Sequence, residues 1–60
     1  MTTGQRAKLR QKIKEWRAVA EPVGPQHVLW ETIFDAEALL VGRATFRPKD
    51  EILAMAEHSH

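Results

Sequence analysis

The sequence predicts an all-α protein: an antiparallel helical hairpin plus a short third helix, completed as a homodimeric bundle. Three observations carry that reading. Two long stretches have helical apolar spacing, and they are separated by the compact connector Pro22-Val23-Gly24-Pro25. The second stretch, His27 to Val41, is apolar almost all round. A chain of 60 residues has too little other material to cover such a helix, so a second chain is the expected cover.

The first helix is expected over residues 3–21. Thr2 and Gln5 have capping-box spacing, with each side chain able to satisfy an orphan backbone N–H of the first turn. Leu9, Ile13, Trp16 and Ala20 step by four, three and four and make one apolar stripe. Pro22 disfavours helical geometry at the residue before it, which sets the expected end at Glu21.

The second helix is expected over residues 25–41. Pro25 suits a first helical position, and Gly42 suits the left-handed residue after the last turn. Leu29, Ile33, Ala36 and Leu40 form one seam, and Trp30, Phe34 and Val41 form a second seam beside it. His27, Glu31 and Asp35 make a narrow polar stripe. So short a link between two helices predicts that they lie antiparallel.

Residues 43–47 read in two ways. Arg43, Thr45 and Arg47 alternate with Ala44 and Phe46, the period of an extended segment that could pair with a symmetry mate. The other reading is an ordinary loop anchored by Phe46. Pro48 then opens a third helix over residues 48–57. Asp50 and Glu51 lie near its positive end, and Ile52, Leu53, Met55 and Ala56 supply its apolar face. This helix is too short to be stable alone. The region from Gly42 onward is expected to be the part that opens most readily and responds to a partner, with the Ile52, Leu53 and Met55 face docking on a second surface.

Composition narrows the function. With no cysteine, disulfides and thiolate metal sites are excluded. No apolar run approaches a membrane span and no signal-peptide h-region is present, so a soluble, cytoplasmic chain without membrane contact is expected. Met1 leads to the expectation of a complete small reading frame. The net charge of +1 hides an asymmetry. Residues 1–17 carry Arg6, Lys8, Arg10, Lys12, Lys14 and Arg17 against Glu15 alone, a balance of +5. The remainder carries Arg43, Arg47 and Lys49 against seven carboxylates, a balance of −4. Such a split fits either a basic contact surface or simple pairing between neighbouring helices.

Catalysis is not expected. The five hydroxyl residues stand in no nucleophile motif, and the three glycines are isolated. No cofactor or metal is expected either. His27, Glu31 and Asp35 at steps of four lack the Glu-x-x-His pattern of metal-binding bundles, and His58 and His60 form only a terminal pair.

The preferred expectation is therefore a small non-enzymatic regulator or assembly factor of bacterial type. It would act as a homo-oligomer and through contact with another protein. Trp30, Phe34, Val41 and Phe46 are the candidate interface residues, since aromatic anchors are favoured at interface centres. The alternative is a dimeric nucleic-acid-binding regulator, antitoxin-like in its charge layout, that uses Arg6, Arg10, Lys14, Arg17, Arg43 and Arg47. A helix-turn-helix made by the second and third helices is disfavoured, because Asp50, Glu51 and Glu57 would meet phosphates.

Overall fold

In the computed structural model, which describes residues 1–58, the chain forms three α-helices and no strand among those residues. They are α1 (Thr3–Val23), α2 (Leu29–Val41) and α3 (Lys49–His58). Ser59 and His60 lie outside the described residues, and with them one half of the terminal histidine pair.

The capping box at the head of α1 is formed. Gln5 N donates to Thr2 Oγ1 at 3.1 Å, and Thr2 N donates to Gln5 Oε1 at 2.9 Å. The helix runs two residues past the expected end and contains Pro22 in its last turn. There, proline removes one hydrogen bond only, and Gly24 N still donates to Ala20 O at 3.0 Å. Gly24 has φ 115° and ψ −177°, a conformation essentially restricted to glycine, and it ends the helix.

α2 begins at Leu29, four residues later than Pro25 suggested. Pro25 and Gln26 form a turn instead, closed by His27 N donating to Gly24 O at 3.2 Å. His27 Nδ1 then accepts from Leu29 N at 3.1 Å, which satisfies one of the unpaired N–H groups at the helix start. At the other end Gly42 adopts the expected left-handed conformation, φ 79° and ψ 26°. Arg43 N reaches back to Ala38 O at 2.8 Å and closes the cap.

The core is built from one stripe of each helix. Leu9, Ile13, Trp16 and Ala20 of α1, Ile33 and Ala36 of α2, and Ile52 and Ala56 of α3 are buried together. Leu29, Trp30, Leu39, Leu40, Leu53 and Met55 pack around them, half-buried. The third helix is thus an integral wall of the core. This corrects the expectation that its Ile52 face docks on a second surface: Ile52 is one of the largest fully buried side chains of the chain. Ten residues suffice because its apolar positions close a corner already formed by α1 and α2.

Residues 43–47 form an irregular loop that bends at Phe46 and Arg47. Phe46 does not anchor it, since that side chain is 97% exposed. Asp35 does. Its buried carboxylate accepts from Phe46 N at 2.9 Å through Oδ1 and from Arg47 N at 3.2 Å through Oδ2. Thr45 Oγ1 donates to Arg47 O at 2.6 Å and tightens the same turn. The polar stripe of α2 is therefore no uniform solvated edge: Glu31 faces solvent, whereas Asp35 is buried as a bracket for the loop.

Candidate functional site: an uncovered face of α2

Ile33 and Ala36 of α2 face the core, and Asp35 holds the loop. Phe34 and Val41 of the same helix are 59% and 69% exposed. They are seven residues apart, two turns along one side of the helix, with Ala38 between them. Exposed apolar residues scattered singly are ordinary; two large ones on the same face of one helix form a patch.

Trp30 forms one boundary of this patch. Its ring lies 5.7 Å from that of Phe34, tilted by 30°. Its indole Nε1 donates to Gly24 O at 2.9 Å, which ties α2 to the end of α1. The guanidinium of Arg17 sits 5.7 Å from the Trp30 ring centroid and adds a cation–π contact. Trp30 is consequently half-buried, part support and part surface. An apolar cleft of about 350 Å³ opens beside it, lined by Glu21, Gly24, Pro25, Trp30 and Phe34. A second hollow of about 410 Å³ lies on the other side of Phe34, lined also by Glu37, Ala38, Val41 and Arg43. Phe34 is the ridge between the two.

Phe46, the fourth candidate interface residue, stands apart from Val41 but not from α2. With Glu31, Asp35 and Arg47 it borders a smaller hollow of about 190 Å³ on the adjacent side of that helix.

The six candidate phosphate-binding residues separate into two groups. Arg6 donates to Leu40 O at 3.1 Å, at the carbonyl end of α2. Arg17 pairs with Glu37 and, at 3.6 Å, with Glu21. Arg47 donates weakly to Thr32 Oγ1 at 3.4 Å and lies 3.8 Å from Asp35. These three are half-buried cross-braces. Arg10, Lys14 and Arg43 are exposed and form no side-chain hydrogen bond or ion pair among the described residues. Lys12, which sequence alone placed on a basic flank, is buried and pairs with Glu15 at 3.2 Å.

Sequence reasoning missed Asp35 as the holder of the loop and Gly24-Pro25 as a wall of the cleft. Spacing offered no signal for the first, because Glu31 and Asp35 are equivalent in a period-four stripe. The shorter Asp side chain, suited to accepting backbone N–H groups, was the one available hint. His27, Glu31 and Asp35 are not brought together as ligands: His27 Nδ1 and the Asp35 carboxylate are both engaged with backbone N–H groups. Among the described residues no group of three or more His, Asp or Glu could hold a metal ion, and no helix is long and apolar enough to cross a membrane.

No protein-family model, curated protein or solved structure matches the chain.

Proposed function

We propose that this chain is a small non-enzymatic regulatory or assembly protein that acts by protein–protein contact, as an oligomer joined through the uncovered face of α2. The observation that carries the reading is the exposure of Phe34 and Val41 on a helix whose other apolar positions are packed. Burying apolar area contributes about 25 cal/mol per Å², so an uncovered pair of this size is a standing drive toward association. The hairpin arrangement supports it. Arg6 meets Leu40, Arg17 meets Glu37, and Gly24 meets Trp30, contacts that fit two antiparallel helices with α2 displayed along one side. Aromatic residues with charged neighbours around them match the aromatic centre and polar rim of interfaces.

Phe34→Asp tests this reading. The side chain is mostly outside the core, so the fold should persist by circular dichroism while self-association, measured by sedimentation velocity across a concentration series, is abolished. An unchanged concentration dependence in the variant would contradict it.

The nucleic-acid reading retains one specific support: Arg10 and Lys14 are exposed a single helical turn apart on α1 with no internal acidic partner among the described residues. With Arg6, Arg17 and Arg47 committed to internal bonds and a net charge of +1, the cationic surface left is small. Arg10→Gln with Lys14→Gln separates the readings. A salt-dependent electrophoretic shift that disappears in this variant would favour nucleic acid; no shift with wild type favours protein contact alone.

A further inference from the structure

We propose that the occupant of the Trp30–Phe34 cleft is Phe46 of a second copy of this chain, inserted reciprocally in a two-fold dimer; this rests on the self-association proposed above and names its contact. Three observations lead to it.

Phe46 is 97% exposed, yet the backbone that carries it is held firmly. Asp35 accepts from Phe46 N and Arg47 N, and Thr45 bridges to Arg47 O. An aromatic displayed on a loop fixed from both sides loses little conformational freedom when it docks, which is the main entropic cost of using a loop residue as an anchor. The loop's own chain offers Phe46 no cover.

The cleft has the matching shape and chemistry. At about 350 Å³, walled by Trp30, Phe34, Pro25 and Gly24, it has room for one aromatic ring. Two aromatic walls at 5.7 Å and 30° to each other favour a third ring in a tilted or edge-on stack.

Charge completes the match. The cleft is lined by Glu21, whose exposed carboxylate is held only loosely by Arg17 at 3.6 Å. The segment around Phe46 carries Arg43 and Lys49, both exposed and without an acidic partner among the described residues. Acidic rim and basic loop complement each other between copies, which orients the encounter. Cleft and loop also flank the same helix, on adjacent sides. The insertion requires a two-fold axis beside α2 that brings each Phe46 over the other copy's cleft, the self-complementary geometry that closes a dimer.

Phe46→Ala in the full chain is the test. Since the side chain makes no core contact, the helical circular-dichroism spectrum at low temperature should match wild type. Dimer dissociation measured by sedimentation equilibrium should be weakened about 30-fold, the loss expected for a central aromatic anchor. In a mixed sample of isotope-labelled and unlabelled wild type, filtered NOEs should connect the Phe46 ring of one copy to the Trp30 and Phe34 rings of the other. A Phe46→Ala chain that dimerises as tightly as wild type overturns the insertion and leaves the α2 face standing as an interface. A wild-type chain that remains a folded monomer throughout the micromolar range overturns both. A dimer showing intermolecular NOEs at Val41 but none at Phe46 overturns the insertion alone.

Discussion

Asp35 Oδ1 accepts a 2.9 Å hydrogen bond from the backbone N–H of Phe46, eleven residues downstream, while its Oδ2 takes the next N–H of the loop. One buried carboxylate therefore joins the middle of α2 to the segment leading into α3. It fixes the approach of α3 to the core and the display of Phe46 at the same time.

Replacing that carboxylate should affect both. Asp35→Ala leaves two partly buried N–H groups without acceptors and is expected to cost about 1–3 kcal/mol of stability. Asp35→Asn keeps one acceptor oxygen and should cost less. Chemical denaturation of the two variants checks the order, which should be wild type, then Asn, then Ala. Equal stability of wild type and Asp35→Ala would show that the loop holds itself.

The second prediction concerns α3. Ile52 is fully buried against residues of the other two helices, so Ile52→Ala should destabilise the whole fold by about 2–4 kcal/mol. Amide exchange should agree: the amides of Ile52 to Ala56 should be protected comparably to those of Ile33 and Ala36 in the free protein. Rapid exchange confined to α3 would mean that the helix opens independently of the core.

Glu15 supplies a pH test. Its carboxyl is held below the ordinary glutamate range, first by the hydrogen bond from Gln11 Nε2 at 2.9 Å and then by Lys12. A lowered folded-state pKa means that the associated stability is present above the unfolded value of about 4.3 and is lost as pH falls through the folded value. Because Glu15 is exposed, the contribution to stability is small and the titration itself is the better readout. Its side-chain carbon resonance should titrate below that of an unfolded glutamate, and Gln11→Ala should move the midpoint upward. A midpoint unchanged by Gln11→Ala would assign the shift elsewhere.

The all-helical architecture was legible because it rests on local rules. The Thr2–Gln5 box, the apolar stripe of Leu9, Ile13 and Trp16, and the left-handed Gly42 are each settled within a turn or two of chain. The boundaries around Pro22 and Pro25 were not, because both prolines act against competing contacts. Pro22 sits where a helix loses one bond at little cost, and Pro25 is drawn into a turn by His27 N bonding to Gly24 O. The anchor of the loop was misread for a different reason. Phe46 was its large apolar residue and so its natural anchor, yet the bracket is a carboxylate on another element. A long-range polar contact leaves no periodicity in sequence. Of the interface candidates, exposure at Phe34 and Val41 follows from the core taking the Ile33–Ala36 side of α2, whereas that of Phe46 follows from the Asp35 bracket. The double role of Trp30, supporting Gly24 while facing the cleft, became visible only with the connector in place.

Sedimentation equilibrium of the wild-type chain at micromolar concentration tests the central claim most directly. The account predicts a reversible dimer, with a mass above the 6.9 kDa of one chain that falls toward it on dilution. A folded, stable monomer throughout that range would contradict it.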